Sequence, residues 1–352
     1  MAWLRLKVVY GNEHALHRDP SGLHVERPER LERALEGLTH LLNQGYASII
    51  GLPEPDESSA LLVHEDYYVE LIRRESTRGF HYIDADTYVN EHTYRVALAY
   101  ATASREAALK AVESSEPWLI LPRPPGHHAG RAGRALGALT NGFCIFNHVA
   151  VAAKTLVDRG YKVVVIDFDA HHGNGTQDIF WDDPRVVHVD IHQEGIYPGT
   201  GDVEDIGGGG AEGTKVNVPL PSGAGDGMFT WILEYLVKPL VETIKPDFIL
   251  VSAGFDSHKD DVMSTLMFTE EGYCGYARYI HELMVERRVK NTITVLEGGY
   301  TDSLRKGVRA YTEALLGMRD CATLKPQKPP ERVLRELGRI MSRYWGLNLD
   351  NS

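Results

Sequence analysis

The feature that most restricts the fold of this chain is a series of short apolar runs that alternate with helical patterns. The runs carry Val and Ile at consecutive positions, which is typical of strands buried on both faces of a parallel sheet. We predict strands over residues 6–10, 118–121, 162–168, 186–191, 248–252 and 292–296. Their alternation with helices predicts a three-layer α/β domain that has right-handed crossovers and helices on both faces of the sheet.

Helices are predicted wherever apolar residues recur at helical spacing. Leu31, Leu35 and Leu38 follow this spacing after Pro28, a residue type favoured at the start of a helix. Further helices are predicted over residues 94–112, 143–159, 229–244 (interrupted or kinked at Pro239), 270–287, 304–316 and 331–344. The loop segments 207–210 and 324–330 are too short to separate two domains. We therefore predict one domain over residues 1–352, with a core at about 5–317 and a C-terminal helix at about 331–344.

Composition restricts the partners of this domain. With 37 Lys and Arg against 49 Asp and Glu, the net charge is −12, which argues against a nucleic-acid binder or a protein that binds anionic membranes. No stretch of about 18 apolar residues predicts a transmembrane helix, and the charged N-terminal segment Met1–Lys7 does not resemble a secretion signal. Cys144, Cys274 and Cys321 are widely spaced and form no C-x-x-C pair, which argues against a disulfide scaffold or a zinc ribbon and favours a reducing cytoplasm.

Polar segments follow four of the predicted strands directly. They are residues 123–129, 167–175, 252–256 and 297–300, and they contain most of the chemically versatile side chains discussed below. The carboxyl ends of parallel strands share one edge of a sheet, where ligands bind in open α/β folds. Isolated histidines and aspartates are usually structural, but four such segments at one edge predict a functional site.

Asp169 and His171 form a D-x-H pair, and Asp256 comes from another predicted strand end. Two residues that leave a strand at i and i+2 can point the same way. A carboxylate oxygen and an imidazole nitrogen suit zinc, and three protein ligands leave a position open for water and substrate. We therefore expect a catalytic rather than a structural metal site.

The tandem histidines His127 and His128 are candidates for acid–base work. Asp167 and Asn174 are their natural partners, since a carboxylate raises the basicity of an imidazole more than an amide does. Two histidines in such different surroundings should have separated pKa values. Tyr300 follows two glycines, and its hydroxyl could polarise a carbonyl opposite the metal.

Taken together, these motifs resemble the zinc-dependent histone deacetylase family, which includes prokaryotic deacetylases and acetylpolyamine amidohydrolases. The matching segments are RPPGHHA, NGFCIFN, DFDAHHGNGTQDIF, YPGTGD, SAGFD and EGGY. Asn174 and Glu297 stand where class I members carry Asp and Gly, so the resemblance is closer to class II. It implies the arginase–deacetylase fold, with a mostly parallel sheet of about eight strands, and it makes His128 the likelier general base and Tyr300 the donor to the acyl oxygen.

The same resemblance implies further roles. Gly142, Phe143 and Tyr197 would line a tunnel for the acyl-lysine chain, and Met263 would lie at its mouth. A rim carboxylate would grip a peptide backbone, with Asp84 as the better match and Asp86 as the alternative; Asp260 and Asp261 would add to a negative rim. A structural monovalent cation, K⁺ or Na⁺, would be held by side chains or backbone carbonyls of Asp167, Asp169, His171, Asp190 and Ile191.

The resulting functional hypothesis is zinc-dependent hydrolysis of N-acyl-lysine amides in proteins, by metal-activated water with a histidine base and a tyrosine that stabilises the oxyanion. The alternative is deacetylation of polyamines or another small amide, although Met263 stands where polyamine-selective animal members carry Glu. A non-catalytic acyl-lysine binder is less favoured. So is a binuclear ureohydrolase, because Gly173 occupies the position of the bridging carboxylate. The physiological substrate, the acyl length, zinc or ferrous iron as native metal, and the oligomeric state stay open.

Overall fold

Eight parallel strands form the central sheet of the computed structural model, which describes residues 4–349. The strands are β1 (Leu6–Val9), β2 (Ala47–Ile50), β3 (Trp118–Ile120), β4 (Val163–Asp167), β5 (Val186–Gln193), β6 (Lys215–Leu220), β7 (Phe248–Ala253) and β8 (Asn291–Leu296). Their order is β6-β5-β4-β7-β8-β3-β1-β2, and every pair is parallel. The expected eight-stranded α/β sheet is thus confirmed. Residues 1–3 and 350–352, including the start of the segment judged above as a possible signal, lie outside the described chain.

Helices cover both faces of this sheet. They are α1 (Glu29–Asn43), α2 (Glu57–Ala60), α3 (Asp66–Ser76), α4 (Thr93–Glu113), α5 (His148–Val157), α6 (Asn174–Ile179), α7 (Asp226–Ile232), α8 (Lys238–Ile244), α9 (Glu270–Val285), α10 (Ser303–Leu315) and α11 (Glu331–Trp345). Alternate residues of β4 face opposite layers: Val163 and Val165 pack in the core with α4 and α5, whereas Val164 and Ile166 pack in the core with α1, α9 and α10. A strand buried on both sides needs consecutive apolar residues, which explains the pattern in the sequence.

Three differences from the sequence prediction have local causes. Strands β2 and β6 lie at the two edges of the sheet and were not predicted. Helix α5 begins at His148 and not at residue 143, because Phe143 has a φ of 70° and the Asn147 side chain accepts a hydrogen bond from Ala150 N as the N-cap. The predicted helix 229–244 is split into α7 and α8 by a π-helical turn at Leu233–Val237, before Pro239.

Cys274 and Cys321 form a disulfide, which corrects the inference drawn from the cysteine count. Cys274 lies in α9 and Cys321 follows α10, and the packing of these two helices brings the Cα atoms of the cysteines to 5.6 Å although they are 47 residues apart. An odd number of cysteines excludes a dense disulfide scaffold but does not exclude one cross-link created by the fold. Cys144 is buried and free.

Between residues 4 and 349, no helix combines the length and the apolar character needed to span a membrane.

Candidate active site

The candidate site lies where β3, β4, β7 and β8 end. These four strands are neighbours in the sheet, in the order β4-β7-β8-β3, so the four polar segments that follow them meet at one edge. The segments are linked by hydrogen bonds: Asp169 Oδ2 accepts from Gly298 N at 2.7 Å, and Asp256 Oδ1 accepts from Ala170 N at 3.0 Å. The site is therefore built from strand ends whose spacing the sheet determines.

Asp169, His171 and Asp256 form a buried group of potential metal ligands. One ligand atom from each residue lies within 4.8 Å of the other two, and His171 Nδ1 is 3.1 Å from Asp169 Oδ1 and 3.0 Å from Asp256 Oδ2. Glycines leave the space that the carboxylates occupy, because a Cβ at Gly254 would overlap Asp169 and one at Gly298 would overlap Asp256. Two carboxylates and one imidazole at such separations fit a transition metal such as zinc.

His127 and His128 have different partners, as their sequence context predicts. Asp167 Oδ2 lies 3.0 Å from His127 Nδ1, and Asn174 Oδ1 lies 2.8 Å from His128 Nδ1. The two rings are buried with their centroids 4.0 Å apart. An amide oxygen can only accept here, so His128 Nδ1 carries a hydrogen and Nε2 keeps its lone pair for another proton.

The two histidines differ in charge as a result. Burial opposes protonation of His127, but the carboxylates of Asp167, Asp169 and Glu297 overcome it and raise the pKa of His127 well above its usual value. Burial and the positive charge of His127 lower the pKa of His128 well below its usual value. At neutral pH one ring is therefore a cation and the other a neutral proton acceptor.

Tyr300 forms part of the pocket wall and is held from behind by Arg30. The Arg30 guanidinium lies 4.4 Å from the centre of the Tyr300 ring, and it donates to Gly299 O at 2.7 Å and to Glu297 O at 2.5 Å. Burial raises the pKa of Tyr300 well above its usual value, so its hydroxyl stays protonated and able to donate. Arg30 Nη1 in turn lies 3.1 Å from Glu26 Oε1, which balances its buried charge.

A narrow cavity of about 170 Å³ leads to this group. It is lined by Gly142, Phe143, Tyr197 and Met263, together with His127, His128, Asp169, His171 and Tyr300. Gly142 has a φ of 53°, and a Cβ there would lie 2.6 Å from the His128 ring and 2.7 Å from the Tyr197 ring, so a side chain would fill the cavity. All four residues proposed to form the tunnel and its mouth therefore lie on the cavity.

The four candidate rim carboxylates have different surroundings. Asp86 lines the cavity, but Asp84 does not, because its oxygens accept from the backbone N–H groups of Asp86, Thr87 and Asn141. Asp260 pairs with Lys306 at 2.7 Å. Asp261 is buried and accepts from the backbone N–H groups of Tyr300 and Thr301. Asp86, the alternative in the sequence prediction, is thus the one of these four carboxylates that lines the cavity.

A second buried group lies beneath the first. Asp167, His188 and Asp190 have ligand atoms within 4.8 Å of one another, and both ring nitrogens of His188 are buried without a hydrogen-bond partner. Asp190 also accepts from Gly173 N at 2.8 Å and lies 2.7 Å from His192 Nδ1. Ile191, on the same strand, is fully buried. Two adjacent buried carboxylates fit a cation, and His188 was not identified from the sequence because a lone histidine in a strand carries no signal.

Glu297 and Arg30 are two further site residues whose roles sequence reasoning missed. The Glu297 carboxylate is buried and accepts from the backbone N–H groups of Gly126 and His127 at 2.9 and 3.1 Å. It thereby joins the histidine segment to the end of β8. For Glu297 the available signal was a charge at the end of an otherwise apolar run, but the partners of both residues are distant in sequence.

The geometry describes a buried donor set for one metal, a polarised histidine pair and a protonated tyrosine around one narrow cavity, which is the arrangement of a hydrolase. A family model for the histone deacetylase domain matches residues 24–315. The chain belongs to the histone deacetylase family, and this membership supports deacetylase activity.

Similar proteins agree with this classification. A probable deacetylase of Archaeoglobus fulgidus is 35% identical, over 96% of this chain and 98% of that protein. The chloroplastic histone deacetylase 14 of Arabidopsis thaliana is 38% identical, over 72% of this chain and 62% of that protein. The crystal structure of the HDA15 HD domain superposes with a TM-score of 0.85 at 30% identity, covering 97% of this chain and 96% of that one.

Proposed function

We propose that this protein hydrolyses N-acyl-lysine amides in proteins and uses one zinc ion bound by Asp169, His171 and Asp256. The observation that carries the proposal is that Asp169, His171, His128 and Tyr300 line one cavity of about 170 Å³, and that Asp256 completes the ligand group of Asp169 and His171. A bound zinc ion would act as a Lewis acid and lower the pKa of water. Ferrous iron would fit the same donors, and metal analysis distinguishes the two.

The residues of the chain perform the proton transfers. His128 is neutral and turns Nε2 to the cavity, so it accepts a proton from the attacking water. Tyr300 donates a hydrogen bond to the acyl oxygen as negative charge develops, and loss of one such donor typically costs about 10²–10³ in rate. The charged His127, whose ring lies 4.0 Å from that of His128, favours the anionic transition state. A histidine of the pair then returns a proton to the leaving amine.

The cavity also supports the proposed substrate class. Phe143 and Tyr197 flank a passage that suits the unbranched chain of an acylated lysine, and Asp86 stands in its wall where it can accept backbone N–H groups of a peptide. An acetylated polyamine would use the same catalytic residues without engaging Asp86 through a backbone. This small-amine activity is the second candidate, and it enters the experiment as a competing substrate.

We further propose that the second buried group binds a structural K⁺ or Na⁺, with Asp167 and Asp190 as its charged ligands and backbone carbonyls of Asp169, His171 and Ile191 around it. The two buried carboxylates support this assignment, because their charges need compensation. A binuclear ureohydrolase is not supported. Gly173 has no ligand, and even a Cβ there would lie 2.6 Å from Asp167 Oδ2.

The deciding experiment combines metal analysis with turnover. The wild-type protein should contain about one transition metal per chain and hydrolyse an acetyl-lysine peptide, whereas Asp256→Ala should lose most of the metal and the activity. Asp260→Ala is the matched control, since Asp260 lies four residues away in an exposed ion pair and should keep both. A full metal content in Asp256→Ala would refute the ligand assignment. Turnover of acetylated polyamines alone would refute the protein substrate.

A further inference from the structure

Apolar side chains are exposed around the mouth of the cavity. Leu23, Leu139 and Val262 have exposed fractions of 86%, 85% and 71%, and Tyr82 is also exposed. We call these four residues the apolar collar. Single exposed apolar residues are common on protein surfaces, but these four come from four separate segments that each adjoin the cavity wall or its support.

Each member of the collar adjoins a residue of the cavity wall or its support. Val262 precedes Met263, which lines the cavity. Leu139 precedes Thr140, whose hydroxyl donates to Asp86 at 2.6 Å and whose carbonyl accepts from Tyr197 at 2.9 Å.

Leu23 and Tyr82 reach the same mouth through His24. Leu23 precedes His24, and the His24 ring lies 4.8 Å from the Phe143 ring and 6.3 Å from the Tyr82 ring. The His24 ring thus joins the segments of Leu23 and Tyr82 to the cavity wall at Phe143. All four members of the collar therefore lie next to residues that line or support the cavity.

The carboxylates of the same loops are engaged within the protein. Asp19 accepts from Ser21 and from His24 N, Asp84 accepts three backbone N–H groups, and Asp260 pairs with Lys306. Asp261 is buried beneath Tyr300 and Ser303. The mouth thus offers exposed apolar side chains beside carboxylates that keep their negative charge but are held by donors within the protein, and Asp86 is the one of the four candidate rim carboxylates that lines the cavity.

We propose that the preferred substrates carry the acyl-lysine in a polypeptide segment whose neighbouring residues are apolar. This inference rests on the proposed function, since the occupant continues from the cavity onto the surrounding surface. In an extended segment, residues are spaced by about 3.3 Å and alternate in direction, so side chains on both sides of the lysine can reach the collar. A flanking Lys would meet the charge of the nearby carboxylates but would bury little apolar surface against the collar.

The test compares three acetyl-lysine peptides that differ only at the flanking positions, with Leu, Ser or Lys on both sides of the modified residue. We expect kcat/KM to be at least about fivefold higher for the Leu peptide than for the Ser and Lys peptides, because burial of apolar surface favours binding. The double variant Leu139→Ser/Val262→Ser should reduce this preference below about twofold while leaving the Ser peptide nearly unchanged. Exposed sites tolerate these changes, and melting curves verify the fold.

Val285→Ser is the matched control. Val285 is half-exposed at the end of α9, before β8 begins, and therefore lies at the opposite edge of the sheet. It should leave the preference intact. A wild-type preference for Lys or Ser, or a Leu preference that survives in the double variant, overturns the apolar collar while the deacetylase function stands. If none of the three peptides is hydrolysed but an acetylated polyamine is, the proposed protein substrate is refuted, and the role of the collar with it.

Discussion

Exchange of Asp86 for Asn tests whether the cavity recognises a peptide backbone. The substitution keeps the size of the side chain and removes its charge. Asp86 Oδ2 accepts from Thr140 at 2.6 Å and Oδ1 from Thr87 at 2.9 Å, so two hydroxyls hold the carboxylate at the cavity while each oxygen keeps a second lone pair. Those lone pairs are available to the backbone N–H groups of a bound peptide.

The magnitude follows from the charge of the acceptor. Hydrogen bonds to a charged group contribute about 1.5–3 kcal/mol, and a neutral amide oxygen retains about half of that. The loss of about 1.4 kcal/mol corresponds to a roughly tenfold lower kcat/KM on an acetyl-lysine peptide. For a small acetylated amine, which has no peptide backbone, kcat/KM should change by less than about threefold.

Asp84→Asn provides the comparison within the same loop. Asp84 holds three backbone N–H groups, so its substitution should lower the melting temperature and affect both substrates equally. The assay measures kcat/KM for each variant on both substrates, together with melting curves. Equal losses on both substrates in Asp86→Asn, or a peptide-selective loss in Asp84→Asn at unchanged stability, would refute the assignment of Asp86.

Three further predictions concern catalysis, pH dependence and stability. Tyr300→Phe should lower kcat by about 10²–10³ with little change in KM, because its hydrogen bond strengthens in the transition state; an unchanged kcat would show that Tyr300 only packs. Asn174→Asp should raise the pKa of His128. Because the base works only when neutral, the acid limb of the kcat/KM profile should move to higher pH. An acid limb that stays in place contradicts the role of His128 as the base. Cys321→Ser removes the cross-link that closes a loop of 47 residues. It should lower the free energy of unfolding by up to about 4 kcal/mol and Tm by about 5 °C, and Tm should no longer depend on reductant. An unchanged Tm would refute the cross-link.

The central part of the fold was predictable because it depends on local patterns. Strand β4 needs consecutive apolar residues to be buried on both faces, and this requirement is visible in residues 163–167 without any partner. Strands β2 and β6, at the edges of the sheet, have a weaker requirement for consecutive apolar residues and were not predicted. The start of α5 was also missed, because Phe143, which lines the cavity, has a positive φ that a Phe rarely adopts and that its own sequence does not signal.

The site divides in the same way. Asp169, His171, His127 and His128 stand in short motifs directly after strands, so the parallel sheet alone brings them to one edge. The choice between Asp84 and Asp86 could not be made from the sequence, because two aspartates in one turn differ only in which donors reach them: backbone N–H groups for Asp84 and threonine hydroxyls for Asp86.

By itself, the sequence determined the parallel α/β sheet, the metal-ligand motif and the histidine pair, because each depends on residues that are close in the chain or follow a strand end. Only the tertiary structure decided that Arg30 supports Tyr300, that Cys274 joins Cys321, and that Asp86 and not Asp84 lies on the cavity. These features are contacts between residues far apart in sequence, and whether a charge is free or already paired depends on the neighbours that folding brings to it.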